Sequence, residues 1–217
     1  MRTLFPRLPK HTVFDIKRSI AGFFLLLLSA CSQTPKSSEN QTPTVKSPEI
    51  RESQLLQVTT WQIKGQIAFL QEKKREKANI NWQANETNQK LSLTTYLGIN
   101  VLSMEKAGDI FTVEVDGETY KTTDLDRLVW QLTGLTLPSE AMSFWIKAIP
   151  YSSQDTVAYH SETGLPESIT SIYDNREWKV TYKGYQVFSG HYLPGQLLIK
   201  QNNFTIKLAI KNWQVET

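Results

Sequence analysis

Few residues of this 217-residue chain combine the types and spacing that chemistry requires, and Cys31, its only cysteine, stands out among them. Leu28-Ser29-Ala30 precede it, behind an almost wholly apolar run from Ile20 to Leu28 and the basic pair Lys17 and Arg18. Basic flank, apolar run, small residues and thiol in that order form the lipobox pattern. There the thiol takes a diacylglycerol and becomes the new N-terminus after cleavage. The plainer alternatives are an ordinary signal peptide with a chance cysteine, or a buried free thiol. A lone cysteine excludes an intramolecular disulfide, so the core must hold without staples.

Other reactive types are sparse. His160 and His191 have no partners at metal-ligand spacing. Asp155, His160 and nearby serines compose a triad only on paper, because no G-x-S-x-G elbow supplies a nucleophile. Asp124 and Asp126 suggest a cation site, but helix-start electrostatics explain them better. No Gly-rich phosphate loop is present. The sequence gives an enzyme no positive support, and it calls for neither cofactor nor metal.

The segments around Cys31 fix its setting. Ile20 to Ala30 spans 11 residues, against the roughly 20 that a membrane span needs. Residues 1–30 therefore read as a signal peptide. They carry five of the 24 bases and one of the 21 acids, leaving 19 bases and 20 acids, so the basic balance belongs to the signal. Nucleic acid loses its usual argument. Ser32, not Asp, follows Cys31, which by the sorting convention of such lipoproteins favours the outer membrane. Residues 31–47 are polar and Pro-containing, with Val45 the only large apolar residue, and read as a lipidated flexible tether. Residues 48–217 then suffice for a single domain.

Within that domain, Pro48 to about Val58 predicts a short helix. From Trp61 the period becomes two, with Ile63, Ile67 and Phe69 alternating with polar neighbours. Segments around Phe111, Trp178 and Phe204 repeat the pattern, with turn dipeptides such as Asp116-Gly117 and Asp174-Asn175 between runs. About ten or eleven antiparallel strands, wet on one face, should curl into an incomplete, strongly curved barrel. Two helices interrupt the series. One is capped by Thr123 and ended by Gly134; the next starts near Pro138 and is stopped by Pro150. Their apolar faces should cover the concave side.

That concave face takes Ile63, Ile67, Phe69, Ile80, Trp82, Leu91, Leu93, Phe111, Val113, Trp145, Trp178, Val180, Tyr182, Leu197, Ile206 and Leu208. Alternation alone does not separate a filled core from a cavity lining. Thr94 to Asn100 is equally open: Tyr96, Leu97 and Ile99 flank Gly98 where turns are usually polar. These side chains either fold back onto the core or form an apolar finger for a bilayer or a partner's groove.

Several further motifs occur in order through the mature chain. They are Trp61-x-x-x-Gly65-x-Ile67-Ala68-Phe69, Ala78-Asn79-Ile80-Asn81-Trp82, Tyr96-Leu97-Gly98, Leu132-Thr133-Gly134-x-x-Leu137-Pro138, Phe144-Trp145, Leu193-Pro194 and Ile210-x-x-Trp213. Together with the lipobox they resemble the LolB family of outer-membrane lipoprotein receptors. The resemblance implies an open barrel whose apolar cavity, lined by the concave-face residues above, binds acyl chains without cofactor or covalent chemistry. It implies a protruding, membrane-inserting Leu97. The implied partners are a periplasmic lipoprotein carrier, the lipid-modified N-termini of client lipoproteins and outer-membrane phospholipid, around a monomer. The Lys/Glu-rich hairpin at Gln71 to Lys77 leaves the mode of carrier docking open. The competing reading is a structural or assembly lipoprotein with a filled β core that binds a protein partner. A lipid-modifying enzyme is the third.

Overall fold

The computed structural model describes residues 47–216 except 73, 135 and 136, so the signal segment, Cys31 and the tether up to residue 46 fall outside the described residues. Helix α1 (Pro48–Leu56) opens this region. Ser47 is extended and its hydroxyl accepts from the Ile50 N–H, while Pro48, with no N–H to lose, occupies the first turn. Six strands follow: β1 (Thr60–Gln71), β2 (Lys74–Ala84), β3 (Asn88–Thr94), β4 (Asn100–Ala107), β5 (Ile110–Val115) and β6 (Glu118–Thr122). Helices α2 (Leu125–Thr133) and α3 (Ser139–Trp145) come next. The chain then forms β7 (Thr156–Tyr159), β8 (Pro166–Tyr173), β9 (Arg176–Lys183), β10 (Gln186–Phe188), β11 (His191–Leu193), β12 (Gln196–Gln201) and β13 (Phe204–Glu216).

Eleven of these strands make one antiparallel sheet in the order β6-β5-β4-β3-β2-β1-β13-β12-β9-β8-β7, with β10 and β11 as a separate ribbon. The first and last strands pair at its centre, from Thr60↔Glu216 to Gln71↔Phe204. Its edges, β6 and β7, do not pair with each other. The sheet curls without closing, and the chain between those edges is the stretch carrying α2 and α3. The helices thus occupy the connection that a closed barrel would not need. A bulge at Lys64/Gly65 sits in the β1–β13 ladder. There a Cβ on Gly65 would lie 2.1 Å from the Ala209 carbonyl oxygen, so no larger residue fits.

Turn chemistry follows the dipeptides. Asp116 and Gly117, and Asp174 and Asn175, all take positive φ, as two-residue hairpin turns require. The helix boundaries differ from expectation. Asp124, not Thr123, caps α2, its carboxylate accepting from the Arg127 N–H at 2.9 Å; Thr122 instead accepts from the Asp124 N–H. Gly134 ends α2 in the left-handed conformation. Helix α3 stops at Trp145 well before Pro150, in a tight turn where Ala148 takes a φ of +54°.

The apolar interior has two unequal parts. A large close-packed cluster joins α1, α3 and the turn after it, and the inner faces of β1, β2, β8, β9, β12 and β13. A small one, Met104, Val113 and Leu125, lies between β4, β5 and α2 with only half-buried neighbours. One half of the concave face is therefore filled and the other is loosely covered.

Candidate functional site

The loosely covered half holds a cavity of about 500 Å³, within the size range of small-molecule sites. Its floor is the inner face of β1 to β5, and α2 and α3 roof it with Leu125, Val129, Met142 and Phe144. Ile67, Phe69, Ile80, Trp82, Leu91, Leu93, Phe111 and Val113 all line it. Ile63, Trp145, Trp178, Val180, Tyr182, Leu197, Ile206 and Leu208 do not line this cavity and are almost fully buried in the close-packed cluster, which meets the cavity at Ile67, Ile80 and Trp82. The physical difference is what lies over each strand. Trp145 tilts against Trp178 of β9 at 6.1 Å between ring centroids, whereas Leu125, Val129, Met142 and Phe144 face β3 to β5 across the cavity.

Polar residues are a minority of the lining, and most of them are engaged. The Trp82 indole donates to Gln89 at 3.3 Å, Lys106 stacks over the Phe111 ring, and Tyr151 donates to Glu140 at 3.0 Å. An alkyl chain entering here would displace little that needs water.

The roof is tied across the open side of the sheet. Asp126, in the first turn of α2, accepts from the Ser139 N–H at 3.2 Å and from the Tyr173 hydroxyl at 2.7 Å. Burial raises the Asp126 carboxyl above the ordinary carboxylate range, against both hydrogen bonds, which pull it down. Burial, and then the bond to Asp126, raises the Tyr173 phenol, which stays protonated and able to donate. Helix-start electrostatics accounted for Asp124 but missed this role of Asp126. Its separation from Tyr173 in sequence left no signal.

Two buried cations hold the far end of the roof. Arg51 of α1 donates to the carbonyls of Lys147, Ala148 and Tyr192, each at 2.9 Å. Lys147 donates back to the carbonyls of Leu55 and Val58 at the end of α1, a favourable place for a cation. Burial lowers the Lys147 ammonium to about 8. Sequence reading missed both residues, since isolated bases look like surface.

The β3–β4 loop points outward. Tyr96, Leu97 and Ile99 are 92%, 81% and 62% exposed. The loop backbone is nonetheless braced: Thr95 N–H donates to the Ile99 carbonyl at 2.8 Å, Gly98 N–H to the Thr95 carbonyl at 3.0 Å, and the Asn79 amide to Thr95 at 3.1 Å. A fixed turn that presents three apolar side chains to water has not folded back onto the core.

The residues considered for catalysis lie in turns or at a strand start. Asp155 accepts from the N–H groups of Tyr151 and Ser152 and shapes that turn. The exposed His160 accepts from the Glu162 N–H, and His191 begins β11. Among the described residues, no group of three or more His, Cys, Asp or Glu is placed to hold a metal, and no helix is long and apolar enough to cross a membrane.

An open antiparallel sheet curled over an apolar cavity, roofed by helices and flanked by an exposed apolar loop, defines the class: a helix-covered half-barrel. The fold is shared with a LolA superfamily protein from Nitrosomonas europaea, at a TM-score of 0.53 with 8% identity over 74% of this chain and 88% of that one. It is shared also with a DUF1329 family protein from Desulfovibrio piger, at 0.55 with 8% identity over 77% and 90%. Residues 59–213 match the family described as outer membrane lipoprotein LolB, and the chain belongs to that family. The outer-membrane lipoprotein LolB of Tolumonas auensis is 31% identical over 89% of this chain and 94% of its own. That of Pseudoalteromonas translucida is 29% identical over 90% and 93%. The protein is thus an outer-membrane lipoprotein of a lipoprotein-localisation family.

Proposed function

We propose that this protein receives lipoproteins from a soluble periplasmic carrier by taking acyl chain into the cavity under α2 and α3, and then delivers them to the outer membrane. The observation that carries the reading is the cavity itself, about 500 Å³ with a mostly apolar lining. Removing roughly ten methylenes from water is worth about 8 kcal/mol before ordering costs. Transfer needs only a difference between carrier and receiver, about 1.4 kcal/mol for each tenfold in equilibrium ratio. No bond is made or broken in such a step.

Leu97 inserts into the bilayer during delivery. Its exposure on a braced turn supports this, because the loop meets lipid without first unfolding. Lipid on Cys31 holds the protein at the membrane, with residues 31–47 as the tether, and the folded domain acts as a monomer facing the periplasm. Several acyl chains on one cysteine suffice for stable anchoring.

The test is lipoprotein transfer from the purified carrier to the chain carrying Cys31→Ala, compared with the same chain carrying Met104→Trp, which fills the cavity. Transfer to the first and not to the second is expected. Equal transfer to both would favour the filled-core alternative, with a partner bound on the outer face.

A further inference from the structure

The outward face of five adjacent strands, from β2 to β9 in the sheet order, carries a charge pattern that the cavity does not explain. Ladder registers place Arg75, Leu70, Thr205, Lys200 and Lys179 in one row across β2, β1, β13, β12 and β9. The next row is Lys77, Ala68, Lys207, Leu198 and Thr181, and the third runs from Asn79 through Gln66, Ala209 and Gln196 to Lys183. With strands about 4.8 Å apart and residues about 3.3 Å apart along them, six cations share a patch of roughly 20 by 13 Å. All six are exposed, and none forms an ion pair among the described residues. The outward acids on these strands sit at the margins: Glu216 ends β13, and Glu177 lies past the end of β12. A chain whose part beyond Cys31 is close to neutral thus places six of its 19 cations together on one face.

The patch is continuous with the apolar loop. β3 stops at Thr94, opposite Asn79, so the place beside Lys77 that a longer β3 would fill is taken by the β3–β4 loop. Tyr96 lines the same shallow depression, about 760 Å³, as Lys77, Lys183 and Lys207. The small Ala68 and Ala209 between these cations leave its floor open. A tyrosine at the rim between an apolar finger and a cationic floor matches the side-chain order at a bilayer surface, where amphipathic rings sit at headgroup depth.

Resting on the reading of Leu97 as membrane-inserting, we infer that this basic face docks on anionic phospholipid headgroups and orients the domain with the loop entering the bilayer at its edge. Cations near an anionic leaflet each strengthen binding by about fivefold, so three contribute on the order of a hundredfold. An acidic protein surface offers the same charge, but not an apolar phase for Tyr96 and Leu97 beside it.

The experiment is vesicle flotation with the chain from residue 31 onward, carrying Cys31→Ala so that its own lipid does not mask the effect. Vesicles are phosphatidylethanolamine alone or mixed with phosphatidylglycerol. The triple variant Lys77→Gln, Lys183→Gln, Lys207→Gln is compared after its thermal melt is shown to match the parent. Phosphatidylglycerol should raise binding of the parent, with the gain abolished by salt and cut on the order of a hundredfold in the variant. Leu97→Glu should keep the phosphatidylglycerol dependence and lose the part common to both vesicle types. A parent indifferent to phosphatidylglycerol, or a variant responding as the parent does, overturns the docking face while leaving the loop to be judged by Leu97→Glu. A variant that binds vesicles normally but fails to receive lipoprotein from the carrier also overturns it, in favour of an acidic protein.

Discussion

Tyr173 donates its phenolic hydrogen to Asp126 across 2.7 Å, joining β8, next to one edge of the open sheet, to the helix that follows the other edge. One side-chain bond thus ties the strand beside one open edge to the helix that follows the other. Asp126 also fixes the start of α3 through the Ser139 N–H, so both roof helices depend on it.

Tyr173→Phe should loosen the roof with little change elsewhere. A hydrogen bond to a charged group contributes about 1.5–3 kcal/mol, and urea unfolding should show a loss of that order or less. Amide exchange should accelerate in α2 and at the start of α3 more than in β1 and β13. Uniform acceleration would mean that the bond supports the whole fold and not the roof.

Asp126 gives the roof a pH dependence of definite sign. Its folded-state pKa is raised, chiefly by burial, so the folded chain holds the proton more tightly than the unfolded chain does. Its contribution to stability is full below the unfolded value and falls as pH rises through the folded one. The advantage of the parent over Asp126→Asn should therefore shrink from acid to neutral pH in paired urea titrations. A growing advantage would contradict the assignment.

Lys147 should act in the alkaline range. Burial depresses its pKa from 10.5 to about 8, so between those values the unfolded chain binds more proton than the folded one. Stability from this group is full above 10.5 and is lost as pH falls through about 8. The difference in unfolding free energy between the parent and Lys147→Met should increase with pH across that interval. A flat difference would place the ammonium in water.

The two halves of the concave face should respond differently to truncation. Ile206→Ala leaves a hole in the close-packed half and should cost about 2–5 kcal/mol. Leu93→Ala enlarges a space that already exists, so its cost should fall below that range, while affinity for a fatty-acyl probe changes. Equal destabilisation without any change in probe binding would show that both halves are packed core.

Much of this architecture could be read before any coordinates, because period-two alternation and hairpin dipeptides such as Asp116-Gly117 encode an antiparallel sheet locally. The division of the concave face could not. Ile206 and Leu93 alternate in the same way; what separates them is that Ile206 is fully buried in the large cluster while Leu93 is half-buried beside the cavity. Arg51, Lys147 and the Asp126–Tyr173 bond were hidden as well, since their partners are backbone carbonyls or side chains far along the chain. Leu97 was recognisable as unusual from its neighbours alone. Its outward direction depends on bonds within the loop and to Asn79, which composition does not specify.

The central claim is that acyl chain occupies the cavity beneath α2 and α3. The most direct measurement is photo-crosslinking of the Cys31→Ala chain with a fatty acid carrying a diazirine on its alkyl chain, mapped by peptide mass spectrometry. The account predicts saturable labelling at Leu93, Met104, Val113 and Leu125, suppressed by Met104→Trp. Labelling that does not saturate, or that falls on the outward face of the sheet and survives Met104→Trp, would contradict it.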